Sequence, residues 1–170
     1  MEANAIRLYT LNEKSIKAYL LATLFITGNI LLPQLCHLVN LGGKIMLPIY
    51  FFTLVGAYKY GWKVGLLTAI VSPLLNSAFF GMPPVIALPA IITKSVLLAL
   101  AAGFIAHRFQ KVSVLLLAVV VLAYQTVGTM FEWAYLGDFE LAISDFSIGI
   151  PGMLLQVLGG FLVIRYLIRD

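Results

Sequence analysis

IALPAIITKSVLLALAAGFIA, residues 86–106, is the stretch whose reading decides the fold. At about 1.5 Å of rise per residue it crosses a hydrocarbon core of about 30 Å as one helix. A single charge, Lys94, interrupts it. Outward from it, five more segments share its character: residues 16–36, 45–58, 64–80, 112–135 and 148–168. The second of the six in chain order is short and flanked by glycine. Pro33, Pro48 and Pro73 fall inside spans, and Pro83, Pro84 and Pro89 introduce the fourth. Pro151 lies in the first turn of the sixth, where a missing N–H costs little.

Composition names the solvent. Hydrophobic residues make up 62% of the chain and charged residues 11%, with a mean hydropathy of +1.02. Soluble domains carry about 25% charged residues. A globule of 170 residues cannot hide that much apolar surface, so lipid is the consistent surroundings. The expectation is an all-α membrane protein: a compact bundle of six transmembrane helices forming one domain over residues 1–170. Short connections support one bundle, and no inverted repeat of the two-half transporter kind is present. The polar first fifteen residues and the long apolar stretch after them read as a retained first span rather than a cleaved signal. Cys36 is the only cysteine, which excludes an intramolecular disulfide.

Charge sets the orientation. Arg7, Lys14 and Lys17 precede the first span, Lys59 and Lys63 sit in the second connection, Arg108 and Lys111 in the fourth, and Arg165 and Arg169 at the C-terminus. These are nine of the eleven Lys and Arg, and a six-span path gathers them on one side. The other side carries Lys44 and the acidic connection with Asp138, Glu140 and Asp145. The positive-inside rule therefore places both termini in the cytoplasm of a cell inner or plasma membrane. The net charge of +4 is thereby a topology signal and not a nucleic-acid footprint.

No enzymatic motif emerges. HExxH, GxSxG and GxxxxGK[ST] are absent, and the two histidines, His37 and His107, fall on opposite sides of the membrane. No catalytic residue, metal site or cofactor is expected, and any ATP hydrolysis must come from a partner.

Two charges interrupt apolar helices. Lys94 lies in the fourth span and Glu132 late in the fifth, both in the outer half, where they are able to meet. A charge at mid-membrane costs at least about 2.5–3.5 kcal/mol, so such groups face a bundle interior or a wet cavity. Two readings follow: a structural ion pair, or a pair lining an outward-facing substrate pocket. Gln125, Thr129 and Glu132 recur at i, i+4, i+7, which places three polar groups on one helical face. Trp133 follows as a ligand platform or a membrane-belt anchor. Asn76, one turn beyond Ser72, is interhelical glue or a ligand contact. Cys36 and His37 close the first span on the outer side as candidate ligands for a metal-bearing substrate. Ala18 and Ala22 form AxxxA near the cytoplasmic end, and Gly61 and Gly65 form GxxxG, spacings that let helices approach closely.

The run Lys44-Ile45-Met46-Leu47-Pro48, then Gly56, then Tyr60-Gly61-Trp62-Lys63-Val64-Gly65, then Phe80-Gly81-Met82-Pro83-Pro84 resembles the integral-membrane S components of energy-coupling factor (ECF) transporters, which are bacterial and archaeal vitamin importers. The residue pattern covers 44–103, and the size and six-span layout cover the whole chain. The resemblance implies capture of a small water-soluble nutrient near the extracellular face by outer loops and later helices. It also implies docking, through Ala18 and Ala22 in the position of the family's AxxxA motif, onto a transmembrane coupling protein that carries two ATPases. A non-transporting scaffold is the alternative: the MreD-like subunits of the cell-shape machinery resemble S components in size and span number, and there Lys94 and Glu132 would be an internal tie.

Overall fold

The computed structural model describes residues 16–38 and 42–167. Among them no strand occurs, and the chain is almost entirely helical. The order is α1 (Ile16–His37), α2 (Gly42–Met46), α3 (Phe51–Tyr60), α4 (Trp62–Phe80), α5 (Leu88–Phe109), α6 (Val114–Leu136), α7 (Phe139–Ile148) and α8 (Ile150–Leu162). Short 3-10 turns precede α3 and α5, and a π turn, Val163–Leu167, extends α8.

Helices α1, α4, α5 and α6 are each long and apolar enough to cross a membrane, and α7 with α8, bent by 43°, counts as a fifth if taken as one span. Their faces divide as lipid requires. On α1 the inward stripe is Ala18, Ala22, Phe25, Asn29 and Pro33, a helical i, i+4, i+7 recurrence. The outward stripe is Ile16, Tyr19, Leu20, Leu24, Leu31 and Leu35, all exposed. Water would not tolerate apolar surface on this scale. In hydrocarbon it is the cheap face, and polar groups are driven inward to find one another.

The segment at 45–58 does not form one continuous helix. Pro48 has no N–H to donate, and Leu47 before it takes a left-handed φ of 47°. The break leaves α2 on one side and α3 on the other. Helix α3 is buried along nearly its whole length, with Phe51 and every residue from Thr53 to Lys59 inside. A helix apolar all round belongs at the centre, and α3 packs there against α1, α4, α5 and α8. Around it α4 packs on α5, α5 on α6 and α6 on α8, while α2 bridges α8 to α1. Gly65 lets α4 nest into this arrangement. A Cβ there would collide with Ala57 of α3 and come within 3.2 Å of Ala99 of α5.

Two expectations change. Lys59 is not in a connection: it lies in the last turn of α3 and is fully buried. The acidic stretch after α6 is not a loop. Gly137, at φ 73°, ends α6, and the Asp138 carboxylate accepts the Leu141 N–H at 2.9 Å, which caps α7.

Candidate functional site

At its ten residues α3 is about 15 Å long, half the thickness of a hydrocarbon core. The Tyr58 hydroxyl donates to the Lys111 carbonyl at 2.9 Å, so the C-terminal end of α3 lies beside the α5–α6 connection. The opposite half of the central column is left to side chains from the start of α5, the end of α6 and the turn before α3. Those side chains are polar.

Lys94 of α5 and Glu132 of α6 form an ion pair there, with Nζ and Oε2 2.5 Å apart and side chains only 7% and 8% exposed. Gly128 makes the approach feasible. A Cβ on it would strike the Lys94 Cγ, so the lysine stem lies flat against α6 and reaches Glu132 one turn further on. Two opposite charges withdrawn from water attract strongly but have each lost hydration, so the pair is stable as a pair and costly to break.

Further buried polar groups lie on the same helices and on α8. Gln125 and Thr129 are buried on the same face of α6 as Glu132. The Tyr124 hydroxyl donates to Gln156 Oε1 of α8 at 2.9 Å. Tyr50, from the turn before α3, lies with its ring 5.5 Å from that of Tyr124, tilted by 50°. Ser95 Oγ, Gln125 Oε1, Thr129 Oγ1 and Gln156 Nε2 have no hydrogen-bond partner among the described residues. Each such buried group costs about 1–3 kcal/mol. Ser95 adjoins Lys94 in α5, Gln125 and Thr129 share the Glu132 face of α6, and Gln156 is tied to α6 through Tyr124, so this unmet hydrogen-bonding capacity is spread along α5, α6 and α8.

Thr129 also borders an open groove of about 380 Å³ between α6 and α7, lined by Met130, Trp133, Phe139 and Phe146, the first three of them exposed. That volume falls in the range of small-molecule sites, about 300–1,000 Å³. Trp133 meets Phe139 edge to face at 5.3 Å. Two further elements close over this end. Lys44 of α2 pairs with Asp145 of α7 at 3.2 Å. A Cβ on Gly152 would lie 2.5 Å from the carbonyl carbon of Met46, so α2 sits directly on the first turn of α8.

Of the residues singled out in the sequence, the structure brings Lys94, Glu132, Gln125 and Thr129 together. Trp133 is 47% exposed and belongs to the neighbouring groove. Asn76 lies in a separate network. Its amide donates to the carbonyls of Asn29 at 2.9 Å and Ser72 at 3.1 Å. Asn29 in turn donates to Thr53 Oγ1 at 3.0 Å and accepts the Phe52 N–H at 3.1 Å. This network ties α1, α3 and α4. The His37 side chain lies outside the described residues, and Cys36 is half-buried at the end of α1.

Ala18 and Ala22, expected to dock a coupling protein, lie on the inward stripe of α1. Both are buried, on the stripe that carries Phe25 and Asn29 into the core. Their small size serves the packing of α1 within the bundle, and they present no surface to an outside partner. Sequence reasoning missed Tyr50, Ser95, Tyr124, Gly128 and Gln156. For Gln156 a signal existed, since an amide inside an apolar helix needs a partner just as Asn76 does. Compared with known proteins, no family model, no curated sequence and no solved structure matches this chain.

Proposed function

We propose that the chain is a substrate-capture subunit of the ECF S-component type, holding a small water-soluble nutrient for import by ATP-driven partners. The observation that carries this reading is the Lys94–Glu132 pair, buried in a lipid-facing bundle whose helices α5, α6 and α8 carry four more buried polar groups without a partner. Ionisable groups at membrane depth mark substrate paths more often than they mark scaffolding. The path of the chain in this reading has six passes, the second being the broken segment 42–60 and the sixth the bent pair α7–α8. Its basic connections lie inside, and the polar site therefore faces outside. The nutrient binds without chemical change, and ATP is used only by two partner ATPases coupled through a transmembrane protein. Because Ala18 and Ala22 point inward, docking falls to the outward side of α1. There Thr23 and Thr27, with hydroxyls folded back on the carbonyls of Tyr19 and Thr23 at 2.9 Å, form a flat small-xxx-small face.

A second reading has an observation of its own. The ion pair is closed, and Gly128 is fitted to it, which suits an internal tie in a scaffold of the cell-shape type. Thermal unfolding of the purified protein across a panel of vitamins separates the two. Capture predicts that one member raises the melting temperature in a saturable way, because a ligand of the folded state stabilises it by mass action. A flat response across the panel favours the scaffold.

A further inference from the structure

The unpartnered atoms on α5, α6 and α8 carry information about what would satisfy them. Lys94 and Glu132 neutralise one another at 2.5 Å, so the site as a whole has no net charge to offer. A carboxylate or phosphate drawn to Lys94 would leave Glu132 buried beside a second anion. A cation drawn to Glu132 would leave Lys94 uncompensated. Either outcome gives up a desolvated pair, which is among the costlier changes a membrane interior can suffer.

The remaining capacity is of a different chemical kind. Two glutamines contribute amide groups without a partner: Gln125 its oxygen, an acceptor, and Gln156 its nitrogen, a donor. Gln156 is committed through its other half to Tyr124. Ser95 and Thr129 add hydroxyls that both donate and accept. The Tyr50 and Tyr124 rings give an aromatic wall on the same side. Thr129 is the one member of this set that also borders the groove between α6 and α7, whose walls are apolar and aromatic.

We propose that the site formed by α5, α6 and α8 takes a small net-neutral molecule of the heterocyclic amide or ureide class, whose adjacent N–H and C=O engage Gln125 and Gln156. This rests on the capture reading and names the substrate class for that same site.

The test uses matched neutral and anionic probes on the purified full chain in lipid nanodiscs. Nicotinamide is compared with nicotinate, and uracil with orotate, by thermal unfolding at millimolar concentration. Each pair keeps its ring and differs in a carboxylate. At about ten times the dissociation constant a neutral probe raises the melting temperature by about 3–6 °C, and its anionic counterpart does not. Gln125→Leu and Gln156→Leu each abolish the neutral probe's shift; the unliganded Gln125→Leu protein melts at or above the wild-type temperature, and Gln156→Leu, which strands the Tyr124 hydroxyl, melts lower. Should either variant fail to fold, Ser95→Ala supplies the same readout, a diminished shift. Larger shifts with nicotinate or orotate overturn the neutral class while leaving capture standing. No shift with any of the four overturns the class assignment, and a flat vitamin panel beside it removes the capture reading as well. A neutral-probe shift unchanged in all three variants places binding elsewhere and overturns the assignment to this site.

Discussion

Replacing Lys94 with Met keeps most of the length of the side chain and removes its charge. Glu132 then remains as a carboxylate with 8% exposure and without the ammonium that lay 2.5 Å away. Gly128 gives it no new donor, because its only polar atoms are committed to the helix backbone. Breaking one side of a buried pair costs about 3–5 kcal/mol, mostly the penalty of the orphaned charge. At about 2–4 °C per kcal/mol for a chain of this size, Lys94→Met lowers the melting temperature by about 6–20 °C. Glu132→Met, which strands Lys94, falls in the same range. The double variant restores neutrality and fills the space with two flexible thioether chains, so it melts within a few degrees of wild type. The assay is a double-mutant cycle of thermal unfolding in one detergent, followed by tryptophan fluorescence. Reasoning from a mutually compensated pair requires strong coupling, with the double variant far more stable than either single one. Additive losses, or single variants that melt like wild type, would refute it, since they would mean that each charge is already met by water or another group.

Gly128→Ala places a methyl on the Lys94 stem and destabilises by about 1–3 kcal/mol, as overpacked sites do, which chemical unfolding of the purified variant measures. Lys94→Met made in the Gly128→Ala background costs less than in wild type, because the displaced lysine has already loosened from Glu132. Asn29→Leu strips partners from the Phe52 N–H and the Thr53 hydroxyl, at about 1–3 kcal/mol for each group left unmet, and loosens α1 from α3. Accelerated proteolysis or hydrogen exchange in α1 reports it. Ala22→Leu introduces bulk at a fully packed position and lowers stability by about 1–3 kcal/mol even with no partner present. An Ala22→Leu protein as stable as wild type would mean that this face of α1 is open.

Much of the architecture was legible because hydropathy integrates over many residues. Helices α1, α4, α5 and α6 begin and end within a few residues of the apolar segments at 16–36, 64–80, 86–106 and 112–135. The second segment was less so. A window average registers 45–58 as apolar but does not weigh the left-handed Leu47 beside Pro48, which cuts it into a cap and a buried half-length helix. Lys59 looked like a loop marker because lysine is rarely buried, and only the tertiary position of α3 encloses it. The acidic stretch was readable in principle, since Asp138 three residues before Leu141 is an N-cap spacing with Glu140 in the first turn. Its net charge masked that signal.

Lys94 and Glu132 stood out within the site because charges in apolar helices are rare, and Gln125 and Thr129 followed from helical period. Tyr50 and Gln156 reach the same place from the turn before α3 and from α8, so their membership is a fact of tertiary packing that no spacing in one helix encodes. The small-residue spacing of Ala18 and Ala22 marked a packed face without saying what packs on it. That face proved to be the inside of the bundle.

The claim that this is the capture subunit of an importer is tested most directly by affinity purification of the tagged full chain from membranes of its own host in mild detergent. Import predicts co-elution with a transmembrane coupling protein and two ATPase subunits, and loss of that company when Thr23 and Thr27 are both changed to Trp while the chain stays folded. Elution without any ATPase, or in the company of cell-shape proteins, would contradict it.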